Sequence, residues 1–151
     1  MEKFVQLIAA FVGSMGFAML FNIKGRKVVI AAIGGLISWA AYLIPGCVVK
    51  NPYICGFVAT VVTTMYAESM ARVQKTPVTV FLVPATIPLI PGASLYRAMD
   101  CLMQNDQNGF KSQGVYTLLF AASMAAGMTF TTIVFRMIWE QMHKGKSLHI
   151  R

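Results

Sequence analysis

The chain has 151 residues, of which 57% are hydrophobic and only 12% charged, against about 25% charged in an ordinary soluble domain. With a mean hydropathy of +0.65, this composition excludes a soluble globular domain. The net charge of +8 therefore does not mark a nucleic-acid surface, and a membrane protein is what remains.

Five long uncharged stretches follow one another: Phe4 to Ile23 (20 residues), Val28 to Val49 (22), Asn51 to Ala67 (17), Thr76 to Tyr96 (21) and Ser112 to Phe135 (24). Each fits the roughly 17–25 residues a helix needs to cross about 30 Å of hydrocarbon. The predicted fold class is an all-α integral membrane protein with five transmembrane helices, at about 4–23, 28–49, 51–71, 76–98 and 115–139, in one transmembrane domain over 1–151. A polar, turn-rich outside loop is expected over 100–114, and a basic cytoplasmic tail over 141–151 that lies against anionic headgroups.

The first stretch is longer than the apolar core of a signal peptide and is followed by Lys24, Arg26 and Lys27. It reads as a retained first helix. It carries Ala9, Gly13 and Gly16, and the fifth stretch carries Ala122, Ala125 and Ala126 with Ser123 and Gly127. In lipid, close backbone approach over small residues favours helix packing, so these faces are expected to meet other helices, of this chain or another.

The third stretch runs into a polar stripe. Thr60, Thr64, Glu68, Arg72 and Lys75 recur at spacings of four, four, four and three and so share one helix face. Glu68 is the stripe's one acid. It reads either as an intramembrane proton carrier or as an ion pair with Arg72 at the interface. The fifth stretch has a weaker face of the same kind, Ala122, Ala125, Thr129, Thr132 and Arg136, where Arg136 is expected to snorkel to the headgroups.

The fourth stretch holds "PATIPLIPG", residues 84 to 92. Each proline removes a backbone N–H and clashes with the carbonyl four residues earlier, at about 3 kcal/mol in a helix interior. Three such costs predict that the helix opens at Pro84, Pro88 and Pro91. The uncharged run centres on residue 86, so the break falls near the bilayer midplane, where open backbone is tolerated only inside protein or beside a watery cavity. Carbonyls around Val80, Pro84 and Ile87 would face a cation, and N–H groups from Gly92, Ala93 and Ser94 a carboxylate. An amino-acid zwitterion presents both, and secondary transporters place substrates at such breaks. A purely structural kink is the other reading.

Orientation follows from Lys and Arg. If all five stretches cross, one side receives Lys24, Arg26, Lys27, Arg72, Lys75, Arg136, Lys144, Lys146 and Arg151, and the other Lys3, Lys50, Arg97 and Lys111. Nine against four places the N-terminus outside and the C-terminus in the cytoplasm. Were the proline-rich stretch re-entrant, the count would be seven against six, so full crossing is favoured.

Other chemistry finds little support. Cys47, Cys55 and Cys101 are odd in number and lack CxxC spacing, which suits packing thiols rather than a disulfide or metal site. "GAS" at Gly92 to Ser94 could suggest an intramembrane serine protease, but that chemistry needs a base within the membrane, and His143 and His149 both lie in the tail. No phosphate loop or metal-ligand cluster is present. No enzyme activity, cofactor or nucleic-acid partner is expected.

The segment "ARVQKTPVTVFLVPATIPLIPGASLYRAM", Ala71 to Met99, resembles the C-terminal half of the threonine/serine exporter family. The specific part is Arg72, Lys75 and Pro77 followed by Pro88, Leu89, Pro91, Gly92 and Tyr96. The whole chain, with its length and five spans, is similar to the small subunit of the family's split form, in which a larger companion subunit supplies the other membrane domain. The family pattern has glycine after Pro84 and often near position 94, where this chain has Ala85 and Ser94. These departures fall where a ligand would approach backbone.

The resemblance implies efflux of threonine and serine from the cytoplasm across the cell membrane, driven by the proton motive force. Related split pairs imply small dicarboxylates such as succinate as the alternative cargo. The candidate substrate or pathway residues are Thr64, Pro84, Pro88, Pro91, Gly92, Ser94 and Tyr96, and the candidates for proton coupling or ion pairing are Glu68 and Arg72. Alternating access would come from rocking of two five-helix halves. Independently of the resemblance, five helices with one interrupted can hardly enclose a pathway alone, so further helices are expected from a companion or a second copy. An uncoupled homo-oligomeric channel and a non-transporting assembly subunit are the competing readings.

Overall fold

The computed structural model describes the backbone of residues 1–46 and 51–147, with side chains up to residue 138. The expectations for Cys47 and Lys50, and for the side chains of the tail, those of His143 and His149 included, lie outside these. Among the described residues every regular element is helical: α1 (Glu2–Leu20), α2 (Arg26–Gly46), α3 (Pro52–Val73), α4 (Thr79–Thr86), a 3₁₀ turn (Ile87–Leu89), α5 (Gly92–Met103) and α6 (Gln107–Ser147).

Four of these, α1, α2, α3 and α6, are long and apolar enough to cross a membrane. A fifth span results if α4 and α5 are counted together as one helix bent by 54°. The chain is an all-α membrane protein, and the bend falls in the proline-rich stretch.

Helix ends follow local chemistry. The Asn51 side chain accepts from the Tyr53 N–H at 3.1 Å, and Pro52 stands in the first turn of α3, where no N–H is missed. At the other end Lys75 takes φ +50°, and the Thr76 N–H reaches back to the Ala71 carbonyl at 2.9 Å, a Schellman-type closure that Pro77 makes final.

The position of the break differs from expectation at one proline. Pro84 is buried inside α4, which continues to Thr86. Its missing N–H deprives only the carbonyl of Val80, in the first turn of α4, so the cost there is a single bond. The chain opens instead at Pro88 and Pro91. Ile90, ahead of Pro91, is extended (φ −62°, ψ 124°), as steric conflict with a following proline ring demands.

The outside loop expected over 100–114 is a correction. Residues up to Met103 belong to α5 and those from Gln107 to α6, leaving a three-residue turn. Asn105 enters the left-handed region (φ +61°), and Asp106 Oδ1 accepts from the N–H groups of Asn108 at 3.2 Å and Gly109 at 3.1 Å. Residues that look like loop formers are thus a helix cap. The fifth predicted helix, 115–139, is correspondingly extended to Gln107–Ser147, 41 residues, or about 60 Å at 1.5 Å per residue, twice the hydrocarbon thickness.

α2 lies at the centre, packed on α1, α3 and α4; α3 also packs on α6, and α5 rests on α6. Small residues set these contacts. A Cβ on Gly34 of α2 would lie 2.8 Å from Ala85 Cβ of α4, and one on Gly127 of α6 would lie 2.8 Å from the Phe57 carbonyl of α3. Such backbone proximity lets helices associate through van der Waals contact where lipid supplies no hydrophobic drive.

The small-residue faces read from sequence are only partly used within the chain. On α1 the buried positions are Ala10, Ser14 and Ala18, while Ala9, Gly13 and Gly16 are exposed, the first two beside an open cavity. On α6 Gly127 is buried, Ser123 donates to the Tyr53 carbonyl, and Ala122, Ala125, Ala126, Thr129 and Thr132 are exposed.

Candidate functional site

The proline-rich break opens on a cavity of about 190 Å³ lined by Pro88 to Ser94, by Trp39 and Tyr42 of α2, and by Tyr116 and Phe120 of α6. The rings interlock: Trp39 stacks on Tyr42 at 5.4 Å between centroids, Tyr42 meets the Phe120 edge at 6.1 Å, and Tyr116 lies 6.1 Å from Phe120 and 5.7 Å from Tyr53. Aromatic pairs at these separations hold each other's orientation, so the wall facing the opened backbone is stiff.

The backbone there is short of partners by construction. Pro88 and Pro91 bring no N–H, and the first helical bond of α5 runs from Leu95 N–H to the Pro91 carbonyl at 3.2 Å. Gly92 N–H closes a tight turn on the Ile90 carbonyl at 2.7 Å. The N–H groups of Ala93 and Ser94 therefore stand at the open start of a 12-residue helix with no side-chain cap. The Ser94 hydroxyl does not cap it either, since it donates back to the Pro91 carbonyl at 3.2 Å.

A neighbouring cavity of about 330 Å³ is lined by Gln6, Ala9, Ala10 and Gly13 of α1 with Trp39, Ile87 and Pro88. Trp39 and Pro88 belong to both cavities and form the wall between them.

The second region lies at the other end of α3. Tyr53 and Glu68 are 15 residues apart on that helix, about 22 Å at 1.5 Å per residue. Glu68 Oε2 pairs with Arg72 Nη2 at 3.5 Å, and the Arg72 guanidinium lies over the Phe135 ring at 4.6 Å. With Lys75, Thr76, Pro77, Val78 and Arg136 these residues line an open cavity of about 580 Å³. Three cations and one carboxylate thus line this cavity, and Arg72 is the cation paired with Glu68.

The structure divides the residues singled out in the sequence. Pro88, Pro91, Gly92 and Ser94 come together at the break, and Glu68 and Arg72 pair as one of the two sequence readings has it. Tyr96 lines none of these three cavities and is 74% exposed. Thr64 is fully buried between these regions, and its Oγ1 lacks the back-bond that Thr60 makes to Gly56 and Phe57 and Thr63 to Ala59. Trp39, Tyr42, Tyr116 and Phe120 were not singled out from sequence. Their only sequence signal is the i, i+3 pairing of Trp39 with Tyr42 and the i, i+4 pairing of Tyr116 with Phe120, which any packed membrane helix can show.

Cys55 and Cys101 are not in disulfides, and among the described residues no three of His, Cys, Asp and Glu gather as a metal would need.

A bundle of apolar helices with one sharply bent helix pair, whose opened ends face a small cavity, defines a polytopic α-helical membrane protein. The chain belongs to the threonine/serine exporter family: the profile described as "Threonine/Serine exporter, ThrE" matches residues 6–134. No solved structure matches this chain.

Proposed function

We propose that this chain is a membrane subunit of a secondary transporter that carries small amino acids of the threonine/serine class out of the cytoplasm, with substrate seated in the cavity at the Pro88 to Ser94 break. The observation that carries this reading is the meeting, in a cavity of about 190 Å³, of a bare helix start and four aromatic rings. That volume is below the roughly 300–1,000 Å³ of sites for drug-sized ligands and suits a small solute. A helix start favours a carboxylate, and aromatic faces favour an ammonium.

The excess of Lys and Arg at the Lys24, Arg72 and Arg136 end supports placing that end in the cytoplasm and the N-terminus outside. The basic cavity around Glu68 is then the cytoplasmic mouth. Glu68, on the membrane-length helix α3 and paired with Arg72, is the group we assign to proton exchange, so that efflux runs against proton influx. A larger companion of the same family completes the pathway. Cations outnumbering acid at Glu68, Arg72, Lys75 and Arg136 favour, as a second reading, a dicarboxylate cargo such as succinate.

The test is Glu68→Gln in cells loaded with serine or succinate. Proton-dependent export is expected to be lost with the chain's membrane level unchanged. Normal coupled export by this variant removes Glu68 from the mechanism, and the cargo that moves decides between the two readings.

A further inference from the structure

The basic cavity between α3, α4 and α6 holds more positive charge than its own carboxylate balances. Arg72, Lys75 and Arg136 line it with Glu68, a formal net charge of +2 from three cations and one anion. Glu68 pairs with Arg72 at 3.5 Å, while Lys75 and Arg136 form no ion pair among the described residues. Like charges brought together repel unless an anion joins them, and the start of α4, which borders the cavity at Pro77 and Val78, adds the positive end of its dipole.

The place of the cavity says which anion is at hand. Arg72 stands in the last turn of the membrane-length helix α3, so the cavity opens at one boundary of the span. Ile23 and Val28, on either side of the α1–α2 turn, pack in one cluster with Ala71 and Val78, which brings Lys24, Arg26 and Lys27 to the same end of the bundle. Lipid phosphates crowd that depth, and basic pockets between membrane helices take up anionic headgroups. Val73 and Met137, next in sequence to Arg72 and Arg136, are exposed and offer apolar surface to the acyl chains.

We propose that this cavity binds the headgroup of an anionic phospholipid that carries two phosphates, held by Lys75 and Arg136 with Arg72 beside them. The net charge of the lining matches such a headgroup, whereas a zwitterionic lipid brings no net charge. Guanidinium forks suit phosphate oxygens, and an ammonium adds a movable point charge. The Phe135 ring under the Arg72 guanidinium, at 4.6 Å, sets the position of that cation, and Lys75 and Arg136 are exposed and able to close on a ligand. The site stands whichever solute the chain carries, and because its cations ring the mouth proposed above, a bound headgroup competes there with anionic cargo.

The experiment uses the full chain, purified in mild detergent with whatever membrane protein accompanies it and titrated with tetraoleoyl cardiolipin or dioleoyl phosphatidylcholine, bound lipid being counted by native mass spectrometry. Cardiolipin is expected to bind at least about tenfold more tightly, the scale of one hydrogen bond between charged groups. Lys75→Gln with Arg136→Gln is expected to remove that preference. Lys24→Gln with Arg26→Gln takes the same charge from the same end outside the cavity, and is expected to change it by less than about threefold, as scattered surface charges do. All four side chains are exposed, so both pairs of changes leave the packing intact. No preference in the native chain, an unchanged preference in the cavity variant, or equal losses in the two variants overturns the site. Inorganic diphosphate and succinate are added as competitors: displacement of cardiolipin by either at a comparable concentration shows a site for a free anion and overturns the lipid assignment.

Discussion

At the scale of single residues, the fold depends on where a side chain is missing. Gly127 is buried on α6, and a Cβ there would sit 2.3 Å from Thr60 Oγ1 and 2.8 Å from the Phe57 carbonyl, which as backbone cannot swing away. Gly16 of α1 is exposed and would meet nothing within 4 Å. We expect Gly127→Leu to separate α3 from α6 and destabilise the chain by about 1–3 kcal/mol or more, the usual cost of overpacking, read as a lower melting midpoint in detergent. Gly16→Leu is expected to leave that midpoint within about 0.5 kcal/mol of native. From sequence both glycines look alike, as small residues on apolar helices. Their difference arises from which face turns inward, and in a helix apolar all round no pattern of polarity reports that. Glu68 and Arg72 were legible because charge in a membrane span stands out. Trp39 was not, because its place in the wall between two cavities comes from how α2 packs beside the break, and only coordinates display that.

At the scale of elements, the proline stretch was legible as a break but not in its register. Three prolines were counted alike, yet Pro84 falls in α4 where a single carbonyl, that of Val80, loses its partner, whereas Pro88 and Pro91 are separated by the extended Ile90. Replacing Pro88 and Pro91 together with alanine restores two N–H groups and lets α4 run on toward α5, closing the open helix start. Export per folded molecule is expected to fall at least about tenfold in this double variant, and by less than about threefold in Pro84→Ala, because only the former refills the break. Equal losses in the two, measured as initial efflux rates against membrane level, would mean that the site lies elsewhere. The polar stretch 100–114 taught a related lesson. Asn105, Asp106 and Gly109 have turn chemistry, and that chemistry is spent on starting α6 rather than on a loop. Turn propensity fixes that the chain changes direction, while the length of the excursion is set by how α5 finds a surface on α6 to rest on.

At the scale of the whole molecule, the long apolar stretches were enough to read an all-α membrane protein, because lipid leaves a chain so few ways to satisfy its backbone. What the sequence could not tell is how the helices are arranged around the break. The result is a bundle centred on α2, with an aromatic cavity toward one end of α3 and a basic cavity at the other. The exposed Ala122, Ala125, Thr129 and Thr132 face of α6 and the openness of both cavities accord with further helices in the working unit. The measurement that bears most directly on the account is serine flux into proteoliposomes that hold this chain with whatever membrane protein copurifies with it in mild detergent, with and without an imposed proton gradient. The account expects a larger membrane protein in fixed ratio and a serine flux that rises with the gradient. No serine flux, or a flux through the chain alone that ignores the gradient, would contradict it.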